Sequence, residues 1–416
     1  MKKSFLLIGY NFYPEPTGIG KYSGEMAYWL AKNGHDCTVI TAYPYYPYWK
    51  IQEPYYEKRY GYTSERKEFA SGGSLTIHRC PMYVPAKPSG MKRMLLDFSF
   101  LTSSFFKLLQ LATKKKIDTV FVVAPSFHFG LLGILYQKLK NAKFIYHIQD
   151  MQIEAARDLN MIKSEKAISF LFALEKYIFS NANIISSIST GMVRRIQEKA
   201  NKPVALFPNW TDTNLFYPID DRASLKIEFG FEPTDKIILY SGAIGEKQGL
   251  EAIMEVAKRH KSSPEIKFII CGSGPYKQTL QALANSLDLH NVVFFPLQPY
   301  DKFNRFLNTA DIHLVIQKAN ASDLVMPSKI TTILAVGGLA VITANKDSSL
   351  HSLVETFNMG ILVQAEDQHA LNEGIARAIG TNDNTIASNA RAYAENHLAI
   401  DKIMEKFEST MLTPLV

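Results

Sequence analysis

The stretch Ile237–Leu250 reads IILYSGAIGEKQGL. Ile237 to Tyr240 is an apolar, partly β-branched run. Ser241, Gly242, Ala243 and Gly245 form a small-residue turn, and an apolar helical pattern starts at Leu250. This is a strand, a glycine loop and a helix start. Glycine lets the backbone come close to a ligand, and free N–H groups at a helix N-terminus suit a phosphate. Lys247 adds a mobile point charge. Many strand–helix turns carry glycine for packing alone, so on this stretch by itself phosphate binding and plain packing stand level.

Working outward, the second half of the chain alternates strand patterns (237–240, 267–271, 292–295, 312–316 and 340–343) with helical ones such as 276–286 and 302–309. The first half does the same, with strands at 5–10, 37–41, 75–80, 119–123, 144–147, 184–187 and 204–207. Alternation of this kind predicts parallel sheets wound on both faces. A chain of 416 residues is too long for one core. The Pro-, Asn- and Thr-rich segment 208–218 (PNWTDTNLFYP) reads as a linker. The expected domains are therefore 1–209 and 210–395, with a C-terminal helix of about 396–416 returning to the first. In doubly wound sheets ligands sit beyond the carboxyl ends of the strands. The loops 11–20 and 241–249 lie at such ends and are expected to face one central cleft.

Charge is uneven. Residues 1–209 hold 28 Lys+Arg against 15 Asp+Glu, a balance of +13; the remainder holds 18 against 24, or −6. A basic first half points to an acidic partner. No nucleic-acid motif is present, so an anionic membrane surface or a lipid phosphate is the expected partner; a merely basic surface is the plainer alternative. Residues 90–112 (GMKRMLLDFSFLTSSFFKLLQLA) form a basic, apolar helix. It reads either as a membrane-surface helix or, slightly favoured, as a helix packed on a sheet. No segment reads as a membrane span; the most apolar, 120–136, contains Pro125 and His128. Lys2 and Lys3 before FLLIGY imitate a signal peptide, but the apolar part is short and lacks a cleavage pattern, so it reads as a first buried strand. Cys37, Cys80 and Cys271 are scattered, which fits a reducing compartment with neither disulfide frame nor metal site.

The second half also contains Cys271-Gly272-Ser273-Gly274-Pro275, the run NVVFFP at 291–296, Ala310-Asp311 and PSKITTILAVGGLAVIT at 327–343. Together with 237–250 these segments resemble the donor half of family 4 of the retaining glycosyltransferases. The linker and the opening strand with its Gly18 and Gly20 loop are similar to that family too, so the resemblance covers nearly the whole chain. GEKQGLE, PSK and HIQD look most like the branch that builds bacterial exopolysaccharides, the colanic-acid type included. The resemblance implies a GT-B fold, a UDP- or GDP-sugar donor, retention of configuration and no metal or other cofactor. It implies a lipid-linked (polyprenyl diphosphate) glycan acceptor and a cytoplasmic enzyme at the inner face of the plasma membrane. Two departures stand out. Ala243 occupies a position where many relatives have Arg, and Gln248 one where they carry a basic residue. Two acidic donor-side positions of the family fall near Asp323 and on Thr332.

Glycosyl transfer builds negative charge on a leaving diphosphate, so catalysis is largely electrostatic positioning. The expected donor-binding residues are Gly18, Gly20, Gly242, Lys247, Gly272, Gly274, Ser328, Lys329 and Thr332. Lys247 is also expected to act in catalysis. Ser328 reads equally as an ordinary helix cap. Asp150 ends the run FIYHIQD and is the candidate to bind the acceptor hydroxyl or take its proton; an N-cap is its plainer role. His147 reads as a core histidine, Glu154 and Asp158 as a solvated helix face, and the Tyr-rich segment 43–62 as a packed loop more than a sugar platform. The rival functions are a nucleotide-sugar epimerase on the same fold and a non-catalytic glycan-binding protein.

Overall fold

Along Ile237–Tyr240 successive side chains alternate faces, as a strand requires. Ile238 and Tyr240 enter one apolar layer with Phe268, Ile270 and Leu314. Ile237 and Leu239 enter the opposite layer with Ile269, Val315 and Ile342. Both faces of this sheet are covered, which is why its strands read as continuous apolar runs. The computed structural model describes residues 2–15, 18–124, 126–158, 164–319, 327–381 and 384–412, apart from the side chains of 155, 156, 158 and 247.

The chain divides into two units: Met1–Pro208 with Met404–Val416, and Asn209–Ile403. The first is built on β1 (Ser4–Ile8), β2 (Asp36–Ala42), β3 (Thr63–Glu68), β4 (Ser74–Cys80), β5 (Thr119–Ala124), β6 (Lys143–Ile148), β7 (Ile184–Ser187) and β8 (Val204–Leu206). Their order is β3-β4-β2-β1-β5-β6-β7-β8. Only β3 runs antiparallel, against β4; the other pairs are parallel. The second unit holds β9 (Lys236–Ser241), β10 (Ile266–Cys271), β11 (Val292–Phe295), β12 (Ile312–Val315), β13 (Ala340–Thr343) and β14 (Ile361–Val363), in the order β11-β10-β9-β12-β13-β14 and all parallel. Two strands escape a reading by pattern. β3 is TSERKE, a charged edge with no apolar alternation, and β14 has three residues.

The Gly90–Ala112 helix is long and apolar enough to cross a membrane by length and composition alone. Its Leu96, Phe100, Ser104, Leu108 and Leu111 are nevertheless buried, and it packs against β2, β4 and the Gly130–Lys140 helix. The packed-helix reading therefore holds for one face of it.

The C-terminal Ile400–Met411 helix enters the first unit at Met404. Phe407 stacks on Phe207 with ring centroids 4.7 Å apart and meets Phe5 and Phe121 edge-on. Its side chain is excluded from solvent. Phe407→Ala removes one corner of this four-ring cluster. The expected loss is about 3–5 kcal/mol of unfolding free energy, measured by urea denaturation of the full chain. A loss under about 1 kcal/mol would mean that the C-terminal segment adds nothing to the first core.

Candidate functional site

In the second sheet β9 and β12 are neighbours, and the order of strands reverses between them. Their carboxyl ends therefore border the crevice where doubly wound sheets take ligands. The loops after β9 and β10 are joined there. Gly242 N–H donates to Cys271 O (2.9 Å), Ile244 N–H to Ser273 O (2.9 Å) and Tyr276 N–H to Ile244 O (3.2 Å). A Cβ on Gly272 would lie 1.9 Å from Gly242 O, and one on Gly274 would lie 2.0 Å from Ile244 O. Both glycines have φ near +156°, closed to side-chain-bearing residues (156° and 157°). Joining the loops consumes alternate backbone donors. The N–H groups of Ala243, Ser273 and Gly274 are left with no hydrogen-bond partner among the described residues.

Lys329 opens the Lys329–Ala335 helix. Its Nζ lies 3.5 Å from the centroid of the Tyr240 ring. A Cβ on Gly242 would meet Lys329 Cε at 2.9 Å and Nζ at 3.0 Å. The ammonium is shut off from water and has no hydrogen-bond partner among the described residues. Burial pushes its pKa down to about 7. Tyr240 Oη donates to Ala243 O (2.7 Å), tying the ring to the glycine loop. Among the described residues the Lys329 ammonium has no counter-ion and three loop N–H donors are unused, and the chemistry of such groups suits an anion.

The other expected donor residues differ in what they do. Ser328 is exposed, and its hydroxyl makes no cap bond. Thr332 is buried and donates its hydroxyl to Lys329 O (3.0 Å). Gln248 holds the loop in shape, because its Oε1 accepts from Gly245 N–H (3.1 Å) and closes the short Glu246–Gln248 turn. Lys247 lies in that turn, with its side chain outside the described set, and Asp323 falls outside the described residues. A cavity of about 180 Å³ lies alongside, lined by Gln248, Gly249, Gln317, Lys318, Thr343 and Gln368 among others. It is smaller than a drug-sized ligand needs, roughly 300 Å³ or more, so a nucleoside-diphosphate sugar does not fit inside it.

In the first unit the strand order reverses between β1 and β5. Gly18 is exposed at the start of its helix with φ +60° and open space at its Cβ position. Gly20 is buried by packing instead, since a Cβ there would meet Glu15 at 2.7 Å. Glu15 was not legible as important. It is a buried carboxylate that accepts from the Tyr45 and Tyr46 N–H groups (3.0 Å each) and from Asn11 Nδ2 (2.8 Å). Burial raises its pKa to about 7. Asp150 follows β6 and lies near Tyr10, whose phenol is pushed up by burial and by Asp97, Glu15 and Asp150 around it. Ser126, just past β5, donates to Tyr10 Oη (3.3 Å). Asp97 reaches this cluster from the Gly90–Ala112 helix; burial raises it to about 6 against the opposing hydrogen bond from Ser126. Only the position of Asp150, at the end of an apolar run, signalled this group in sequence.

His147 is a core histidine, between Phe121 and Phe207 and bonded to Ser186. The solvated reading of Glu154 is wrong. It is buried, and Lys199 bonds both it and Glu175 (2.7 Å to the latter). A seven-residue helix offers too short a pattern to reveal that face. Asp158 lies in the same helix, with its side chain outside the described set. The Tyr-rich segment is divided, with Tyr43 and Tyr45 buried and Tyr48 and Tyr60 exposed.

Two Rossmann-like α/β units in one chain are the architecture of the GT-B glycosyltransferases. Family models agree: residues 17–210 match the glycosyl transferase 4-like domain and residues 221–397 match glycosyl transferases group 1. The chain belongs to this glycosyltransferase family. It is similar to the putative colanic acid biosynthesis glycosyl transferase WcaI of Escherichia coli K12, with 41% identity over 97% of this chain and 98% of the relative. Among solved structures it resembles sucrose-phosphate synthase of Thermosynechococcus elongatus (TM-score 0.77, 16% identity, 99% and 98% of the two chains). It also resembles Anabaena HepE in complex with UDP and glucose (TM-score 0.70, 14% identity, 98% and 99%).

The Lys329 ammonium has a measurable cost. The folded chain binds fewer protons than the unfolded one between about pH 7 and the ordinary lysine value of 10.5, so this site makes stability rise with pH across that window. Below it the penalty is complete. Lys329→Met is expected to stabilise the ligand-free protein by roughly 1–3 kcal/mol at pH 6, with the gain shrinking at pH 9. Urea unfolding at the two pH values measures this. A variant less stable than the parent at pH 6 would contradict it.

Proposed function

We propose that this chain is a retaining, metal-independent glycosyltransferase of bacterial cell-surface polysaccharide synthesis. It transfers a sugar from a UDP- or GDP-sugar to a lipid-linked (polyprenyl diphosphate) glycan at the inner face of the plasma membrane. The observation that carries the donor half of this reading is the buried Lys329 ammonium against Tyr240 and Gly242, which, like the Ala243, Ser273 and Gly274 N–H groups of the joined loops, has no hydrogen-bond partner among the described residues. The full-length relation to a protein named for colanic acid biosynthesis supports the pathway class.

In this reading the donor diphosphate supplies the counter-charge that Lys329 lacks. The leaving diphosphate gains negative charge as the sugar–oxygen bond breaks. Lys329, the Lys247 side chain and the loop N–H groups stabilise that charge without reorganising. Gly242, Gly272 and Gly274 let the loops come close enough to present their amides. Ser328 and Thr332 offer hydroxyls to the nucleoside, and Gly18 gives an open backbone in the first unit. Asp150 orients the acceptor hydroxyl or takes its proton. The acceptor attacks on the face the diphosphate leaves, so configuration is retained and no residue is assigned as nucleophile.

A thermal-shift screen over nucleotide sugars tests the reading, because a ligand of the native state raises its melting temperature. One UDP- or GDP-sugar should stabilise the parent, and Lys329→Met should abolish the shift. Turnover should persist in excess EDTA, and the product anomer should match the donor by NMR. A requirement for added magnesium or manganese would refute metal independence. Epimer formation without acceptor would favour an epimerase, and no donor binding by the parent would favour a glycan-binding protein.

Donor affinity should also depend on pH. The empty site holds the Lys329 proton only up to about pH 7. Above that, apparent affinity should fall by up to roughly tenfold per pH unit, with a proton taken up on binding. Titration calorimetry at about pH 8 in buffers of different ionisation enthalpy reads this directly. Proton-neutral binding there would mean that Lys329 does not charge against the donor.

A further inference from the structure

The Gly90–Ala112 helix has two apolar faces, and the fold uses only one. Leu96, Phe100, Ser104, Leu108 and Leu111 pack inward. On the opposite side Met91, Met94, Phe98, Phe105, Phe106 and Leu109 are exposed, Met91 at 83%, Met94 at 71%, Phe98 at 64% and Phe106 at 60%. Their spacings of three, four and seven residues place them in one stripe along the helix. A soluble protein seldom leaves so many large apolar side chains contiguous in water.

The ends of the stripe carry charge of one sign. Lys87, Lys92 and Arg93 are exposed at its start, and Lys114, Lys115 and Lys116 just beyond its end. Asp97, the acid of this helix, is not on the stripe; it is engaged with Ser126. An apolar band with lysines at both ends matches the boundary of an anionic bilayer. The rings and methionines enter the acyl region, and the long basic side chains reach up to the lipid phosphates.

We infer that the exposed face of the Gly90–Ala112 helix is the membrane-docking surface of this enzyme, lying in the plane of an anionic lipid leaflet. This rests on the membrane location proposed above and assigns it to an element. The buried face holds the helix on its sheet, so it lies on the bilayer and does not cross it. Asp97 belongs to the same helix and joins the Tyr10 and Ser126 cluster at the carboxyl ends of β1 and β5. The docking element is thus built into the unit assigned to the acceptor, and a lipid-borne substrate would reach that cluster from the surface on which the helix lies.

The test is co-sedimentation of the full chain with phosphatidylcholine vesicles, with and without phosphatidylglycerol, at low and high salt. The parent should bind the anionic vesicles, more weakly at high salt. The double variant Phe98→Ser/Phe106→Ser should bind roughly tenfold or more weakly, with its unfolding temperature and donor-induced thermal shift unchanged. Phe98→Leu/Phe106→Leu should retain binding, and Lys114→Glu/Lys115→Glu/Lys116→Glu should remove the salt-sensitive part. Equal binding by the serine variant overturns the helix assignment while leaving the membrane reading intact. No binding of the parent to anionic vesicles at low salt overturns both. A parent that sediments as a dimer split by the serine substitutions overturns the inference in favour of a second copy of this chain.

Discussion

An ammonium held against the face of a tyrosine, with no anion to answer it among the described residues, is the constraint around which the loops of the second unit are arranged. Charge taken out of water is costly unless it is paired. Lys329 recovers part of that cost from the Tyr240 ring but has no hydrogen-bond partner among the described residues. Several features follow from placing it there. Residue 242 is glycine because its φ of +154° is one that side-chain-bearing residues rarely adopt, and the lysine stem already stands 2.9 Å from where a Cβ would be. The Tyr240 hydroxyl has to find an acceptor inside the loop, which Ala243 O provides. Cross-bonding to the β10 loop then sets the geometry of the remaining amides before any ligand arrives. The resemblance placed an arginine of related chains at the position of Ala243 and left Lys247 as the loop's own cation. The Lys247 side chain lies outside the described set, and the Lys329 stem occupies the space beside Gly242.

Much of the architecture was legible because both faces of each sheet are covered. Buried parallel strands are short apolar runs, and 237–240, 267–271, 292–295 and 340–343 all stand out against their polar connections. β3 did not stand out, because a strand facing water on both sides carries no apolar period; β14 was too short to carry one. The glycines at 242, 272 and 274 were legible as a loop signature. What sequence could not give was the reason for each, since that depends on contacts between segments far apart in the chain. Gly20 shows the limit. It pairs with Gly18 by spacing, but it is small because Glu15 occupies the space next to it.

The polar residues of the first unit were harder to read than the glycines. Asp150 could be picked out because it ends a strand. Tyr10, Asp97 and Ser126 come from three separate elements and meet only once the β1–β5 neighbour relation exists. Glu154 failed in the opposite direction. On a short helix its carboxylate looked like surface, but Lys199 and Glu175 meet it in the interior.

β3 also bears on how this protein behaves among its neighbours. A sheet border offers a row of unpaired main-chain groups onto which another chain can add. Here that border is Glu65-Arg66-Lys67-Glu68, exposed along its length and with Arg66 and Glu68 paired (2.6 Å). Charges of both signs, laid along the rim and reversed in direction relative to the rest of the sheet, make a poor template for edge-to-edge growth. At high local concentration a chain meets its own copies often, and a charged rim of this kind disfavours the strand addition by which such encounters become aggregates.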